Sequence, residues 1–332
     1  MYKTIFFKRQ SDIINKLFKD KIISKTSNLI IPSYICSEVI TTFKSKGINI
    51  IFYERDASYI EIINLISNIK KKAKSNPVYF YCYYHFSKFK DISEILYELT
   101  KLDINIILDA AHLINFIDQD FIPINYEKLK KIILIGSPRK YLRLTEGGCC
   151  KVNNNYLMIR SNNFNFISVF IDNIKNSKTI RILISNIKLR KNKKDFLFNS
   201  NSPKINENIQ SASIGHQIYF VLKKLFYNYE DKIFYKKYLR LFKSFISPEI
   251  KDINFLDNQV YWIIPLNNDK KPIKKLFKYF QYRFDNPLMN WPDYHEYLSS
   301  IDKVRFKNNI YFRLDKNTCN NYMYNKISAV IK

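Results

Sequence analysis

Ile104-Asn-Ile-Ile-Leu-Asp-Ala-Ala-His112 and Gly136-Ser-Pro-Arg-Lys-Tyr-Leu-Arg-Leu-Thr-Glu-Gly-Gly148 belong to one stretch, residues 104–152, and its reading decides the fold. The apolar run from Ile104 to Leu108 stops abruptly at Asp109, and a second run, Lys131 to Ile135, stops at Gly136, Ser137 and Lys140. Such short apolar runs read as buried strands. In open α/β sheets, ligands sit outside the carboxyl ends of strands, which is where these polar residues fall. The whole chain of 332 residues has five glycines, and three of them (Gly136, Gly147, Gly148) lie in this stretch. Average usage is about 7%, so their clustering marks a place where backbone geometry is strict.

An acid at one strand end and a lysine about thirty residues later, both opening onto one cleft, form the smallest constellation able to run pyridoxal phosphate chemistry. Lys140 supplies the Schiff-base amine. Asp109 keeps the pyridine nitrogen protonated, and His112 packs on or hydrogen-bonds the ring. The order Asp-Ala-Ala-His, Ser-x-x-Lys, Glu-Gly-Gly (109–112, 137–140, 146–148) resembles the DegT/StrS family of sugar aminotransferases, which are fold type I pyridoxal phosphate enzymes. The resemblance implies an α/β, aspartate-aminotransferase-like large domain with a mostly parallel sheet, expected over 1–205, and a smaller α+β domain over 206–332. It also implies a pyridoxal phosphate-dependent transaminase working on an amino donor such as glutamate and a nucleotide-linked keto sugar. A symmetric homodimer is expected, because sites in this family are completed by a neighbouring subunit.

Composition narrows the classes further. The formal charge of +26 would suit nucleic acid, but the basic residues are spread along the chain. The two densest runs, Lys70 to Lys74 and Lys188 to Lys194, end or interrupt amphipathic stretches as solvated helix faces do. Abundant Lys, Asn, Ile, Tyr and Phe with scarce Gly, Ala and Pro is the mark of AT-rich coding, so no nucleic-acid partner is expected. No run of eighteen apolar residues occurs, and the opening Met-Tyr-Lys-Thr-Ile-Phe-Phe-Lys-Arg is too soon charged for a signal peptide. The expectation is a cytoplasmic protein without a membrane partner. Five cysteines without metal spacing read as reduced structural thiols, with Cys149 and Cys150 facing opposite sides of a strand.

Along the chain, helical spacing covers Gln10 to Phe18, and in the family the start of the equivalent helix cradles the cofactor phosphate. Here it carries Lys8, Arg9, Gln10 and Ser11 with no glycine, which leaves Arg9 and Ser11 as candidate phosphate contacts beside Ser137. Asn28 to Ile31 reads as a strand closed by Pro32, followed by a helix ending at Gly47, a strand Ile48 to Tyr53 and a helix Ala57 to Ala73. The family's ring-stacking aromatic has become Cys36, so Tyr34 or His112 must serve. The strand from Val78 ends at Tyr84 and His85, which with Arg139 are the candidate substrate contacts. After a helix Asp91 to Leu102 and the opening stretch, a strand Cys149 to Val152 and the segment Tyr156 to Arg160 finish the sheet. Residues 161–202 read as helix plus an exposed connection, and Ser211 to Tyr229 as a long helix. The second domain is read from Tyr238 to Phe245, a strand Gln259 to Leu266, a helix Lys270 to Phe284, a strand Asn309 to Leu314 and a helix Cys319 to Ile331, with Trp291-Pro292 as a further family signature.

Two alternatives stay open. The altered phosphate loop and the missing aromatic allow a decayed or regulatory paralogue that keeps the fold and loses the reaction. An aminotransferase for a non-sugar ketone fits the same residues. A sugar dehydratase of the superfamily, where histidine generally replaces the lysine, is disfavoured by Lys140.

Overall fold

The computed structural model describes residues 2–54, 57–73, 75–83, 98–99, 101–112, 132–137, 139–142, 146–153, 155–161, 209–213, 233–247, 263–280, 286–291, 295–314 and 318–332. The expected domain boundary at 205/206, and most of the helices expected at 91–102 and 211–229, lie outside these residues.

The strands are β1 (Tyr2–Thr4), β2 (Asn28–Pro32), β3 (Asn49–Tyr53), β4 (Val78–Tyr83), β5 (Asn105–Asp109), β6 (Ile132–Gly136), β7 (Cys149–Val152), β8 (Asn155–Tyr156), β9 (Ile159–Ser161), β10 (Ile263–Asn267), β11 (Leu288–Met289) and β12 (Asn309–Arg313). The helices are α1 (Gln10–Lys19), α2 (Ser37–Ser45), α3 (Tyr59–Ala73), the single turn α4 (Arg139–Leu142), α5 (233–242), α6 (Lys271–Phe280), α7 (Ser300–Asn308) and α8 (Asn321–Ile331).

Seven strands form the main sheet in the order β3-β2-β4-β5-β6-β7-β8. The first five are parallel, and β7 and β8 close the edge antiparallel. Parallel strands are covered on both faces, which is why their sequences are continuous apolar runs rather than alternating ones. Ile30, Phe80, Ile106, Leu108 and Leu134 point to one face, where α3 packs through Ile62 and Ile66. Leu29, Ile31, Tyr81, Ile107 and Ile135 point to the other, covered by Ile13, Ile14 and Leu17 of α1 and Val39, Ile40 and Phe43 of α2. Cys149 lies on the first face and Cys150 on the second, as the strand period requires. Both thiols are free, and burial pushes both up, Cys150 beyond any physiological range.

A second sheet, β10-β12-β11, is antiparallel and packs with α5, α6 and α8 into the same core as the α3 face. Helix α7 has no counterpart in the sequence reading. Its inward residues are Asp302, Arg305 and Phe306, while Ile301 and Val304 are exposed, so no apolar stripe announces it. What holds it is polar: the Ser299 hydroxyl accepts from Asp302 N, and Arg305 Nη1 donates to Asp302 Oδ1 at 2.9 Å.

The loop after β2 is clamped by this second unit. Ser33 Oγ donates to Asp302 Oδ2, and Tyr34 OH donates to the Trp291 carbonyl at 3.0 Å while sharing a 2.9 Å hydrogen bond with Tyr311 OH. His295 Nε2 meets the Ile35 carbonyl at 2.7 Å, and Trp291 Nε1 donates to Cys36 Sγ at 3.1 Å.

Asp302 is fully buried and serves both Arg305 and Ser33. Asp302→Ala leaves a buried guanidinium without its carboxylate, which is expected to destabilise the protein by about 3–5 kcal/mol. Urea unfolding measures it, and a loss below about 1 kcal/mol would show that water takes over the pairing.

Candidate active site

Strand register brings the acid of β5 beside its neighbours' ends: Asp109 pairs with Tyr83 on β4 and with Ile135 on β6. Its carboxylate is 2% exposed and fully engaged on one oxygen. Asp109 Oδ2 accepts from Tyr81 OH at 2.6 Å and from Gln10 Nε2 at 2.9 Å, and Gln10 Nε2 also donates to Tyr81 OH at 3.0 Å. Oδ1 accepts from Ala111 N at 2.9 Å, leaving room for a second donor on that oxygen. Burial pushes the Tyr81 phenol well above its usual range, and the adjacent Asp109 charge pushes it the same way, so Tyr81 stays a donor.

His112 is 1% exposed, three residues past Asp109. Its Nε2 lies 3.1 Å from Lys140 Nζ, which reaches it from the turn after β6. That turn is held by backbone contacts that glycine alone permits. Arg139 N donates to Gly147 O at 3.1 Å, and Gly147 sits at φ +127, a region L side chains rarely adopt. Gly148 exchanges hydrogen bonds of 2.8 and 2.7 Å with Phe7. A Cβ at 148 would stand 3.1 Å from Ile13 Cδ1 and 3.4 Å from Arg9 O. Both glycines thus press the first turn of α1 against the turn that carries Lys140.

At that turn of α1, Asp12 Oδ2 accepts from Arg9 N and Asp12 Oδ1 from Gln210 N, both at 2.9 Å. Burial raises the Asp12 carboxyl even so. Ser11 Oγ donates to Glu38 Oε1 at 3.0 Å. Burial lowers the Arg139 guanidinium, the Glu38 carboxylate supports its charge and nearby Arg9 opposes it. Ser137 Oγ and Arg139 Nε are buried with no hydrogen-bond partner. Two basic side chains and two unmatched polar atoms beside a helix N-terminus form a cradle suited to an anion.

The expected residues therefore divide. Asp109, His112, Ser137, Arg139 and Lys140 gather at the ends of β5 and β6, with Arg9 and Ser11 at the neighbouring helix start; Arg9 itself is exposed. Tyr34 is buried 1% exposed, its hydroxyl given to Trp291 and Tyr311 of the second unit. Tyr84 and His85 lie outside the described residues. Gln10, Tyr81 and Trp291 were not singled out for the site. Gln10 stood between two nominated residues, and Tyr81 shows only as one aromatic in an aromatic strand. Among the described residues no cluster of His, Cys, Asp and Glu suits a metal, and no helix is long and apolar enough to cross a membrane.

No protein-family model matches the chain, and neither does any curated protein sequence. Solved structures do. A DegT DnrJ EryC1 StrS aminotransferase from Brucella abortus superposes with a TM-score of 0.57 at 12% identity, covering 100% of this chain and 85% of that one. S. venezuelae DesV, in complex with a ketimine intermediate, gives 0.58 at 10%, with 98% and 83% covered. Sphingomonas wittichii serine palmitoyltransferase gives 0.54 at 10%, with 99% and 71% covered. At such identities the likeness establishes the fold: α/β and aspartate-aminotransferase-like, fold type I, as the resemblance implied.

Tyr81 gives the site a pH signature. Its raised folded value means that the unfolded chain, ionising from about pH 10, loses the proton first, so stability is complete below that pH and falls as pH rises toward the folded value. Wild type should lose about 1.4 kcal/mol more per pH unit than Tyr81→Phe above about pH 10. Urea unfolding across that range checks it, and equal slopes would place the Tyr81 hydroxyl in water.

Proposed function

We propose that this protein is a pyridoxal phosphate-dependent aminotransferase that moves an amino group from an amino acid such as glutamate to a nucleotide-linked keto sugar. The observation that carries the reading is the Lys140 amine held 3.1 Å from His112 Nε2, next to the strand end that bears buried Asp109. The remaining residues fit the cofactor. Asp109 Oδ1 retains acceptor capacity for a pyridine N–H, and unmatched Ser137 Oγ and Arg139 Nε suit a phosphate beside the α1 N-terminus.

When bound, pyridoxal phosphate supplies the electron sink that lets a substrate α-proton leave. Lys140 is the group that takes and returns that proton, and His112 orients its amine. Asp109 holds the proton on the ring nitrogen, and Gln10 and Tyr81 hold Asp109 in place. Arg139, Ser137 and Arg9 hold the phosphate end. Tyr84 and His85 are the proposed substrate contacts, a basic surface suits a diphosphate, and a homodimer in the cytoplasm completes the reading.

A second reading is a non-catalytic relative that keeps the scaffold. It draws on the closed triangle of Gln10, Tyr81 and Asp109, in which one carboxylate oxygen is satisfied without any ligand. An aminotransferase for a non-sugar ketone would share every residue named.

Borohydride reduction of protein mixed with pyridoxal phosphate should fix the label on Lys140, and Lys140→Ala should abolish it. Asp109→Ala should keep labelling but lose turnover. Arg139→Ala and Ser137→Ala should each weaken retention at least about tenfold, the worth of a charge-assisted hydrogen bond. Production of 2-oxoglutarate from glutamate then supports the aminotransferase. No binding at millimolar cofactor leaves only the scaffold.

A further inference from the structure

We propose that Trp291 is the positioning residue for the Lys140 amine, acting through His112, so that the seating of the second unit on the loop after β2 governs the reactive group. The inference rests on the reading of Lys140 as that group. Trp291 is buried and fixed from several sides. Its Nε1–H donates to Cys36 Sγ at 3.1 Å and its carbonyl accepts from Tyr34 OH at 3.0 Å. Its ring meets Tyr34 at 5.5 Å and 73°, and Tyr311 of β12 at 5.7 Å and 79°. An indole held at its N–H, its backbone and two ring edges has no rotameric freedom left.

The same indole meets the His112 ring at 5.2 Å and 75°, an edge-to-face contact. The backbone leading to His112 is fixed from the other direction, because Ala111 N is bonded to Asp109 Oδ1. What Trp291 adds is the ring plane. Lys140 Nζ and His112 Nε2 share one hydrogen bond of 3.1 Å, and a small rotation of the imidazole breaks it. Trp291 therefore acts on the amine at one remove. Cys36, where the resemblance leads one to expect an aromatic, is the side chain that leaves room for the indole and receives its N–H.

Trace acetylation with acetic anhydride, quantified lysine by lysine by mass spectrometry, reads the amine without any cofactor. Losing that hydrogen bond frees the amine, so Lys140 should react about tenfold faster in His112→Ala, and likewise in Trp291→Ala. The double variant should be no faster than either single one. Lys151, buried in β7, should keep its wild-type rate and so report an intact fold. Trp291→Phe, which keeps a ring but loses the N–H to Cys36, should give a rise of roughly two- to threefold that vanishes in the His112→Ala background. If Trp291→Ala unfolds the protein, seen as a faster Lys151, the Trp291→Phe comparison decides. An unchanged Lys140 rate in either folded Trp291 variant, or effects that multiply with His112→Ala, would overturn the proposal. Failure of wild type to take pyridoxal phosphate onto Lys140 would instead sink the functional reading while leaving this coupling measurable.

Discussion

Two backbone hydrogen bonds join Phe7 and Gly148. Ile13 and the Arg9 carbonyl fill the space where a Cβ would be. That contact sets where α1 begins, and through it the positions of Arg9, Gln10 and Asp12. Gly147, one residue earlier, accepts from Arg139 N and donates to Lys8 O, so the turn carrying Lys140 is tied to the same place. A methyl group at 148 would press on Ile13 and the Arg9 backbone and so shift the start of α1. Two of the five glycines, Gly147 and Gly148, stand where two stretches of backbone meet.

Around this contact the polar residues serve each other before they serve any ligand. Gln10 reaches from the first turn of α1 to Asp109 on β5, linking the anion-binding end of the site to its acid across 99 residues of chain. Glu146 performs a similar task at the rim, accepting from Ser213 N and lying 3.7 Å from Lys8 Nζ. Buried networks of this kind are stable when every member is satisfied. Ser137 Oγ and Arg139 Nε differ from that network in being buried and unmatched.

The parallel sheet was legible because buried strands announce themselves as uninterrupted apolar runs: β5 and β6 were placed within a residue of their ends, and α1 and β7 equally so. Acid, imidazole and lysine were legible because their chemistry is specific and their spacing fits strand ends. Helix α7 was not, since its inward face is an ion pair rather than a stripe of apolar residues. Gln10 and Tyr81 were not, because glutamine is unremarkable at a helix start and one tyrosine among 25 is camouflage; Trp291 stood out only in Trp291-Pro292, with nothing local to tie it to His112. The hydroxyl partners of Tyr34 were not legible either, since they lie more than 250 residues away, a distance no local pattern reports.

That distance bears on how the molecule is made. Ser33, Tyr34 and Ile35 leave the ribosome early, yet the groups that cover them, from Trp291 to Tyr311, come 257 to 277 residues later. At about 5–20 residues per second, the loop after β2 waits on the order of ten seconds or more for its cover. During that interval the first sheet can gather its apolar faces from nearby chain, but Tyr34 lacks its later partners. The nascent chain therefore passes through a stage with a sheet in which Tyr34 lacks the partners that later enclose it. Enclosure of that loop is timed by translation of residues 291–311 rather than by formation of the sheet that carries it.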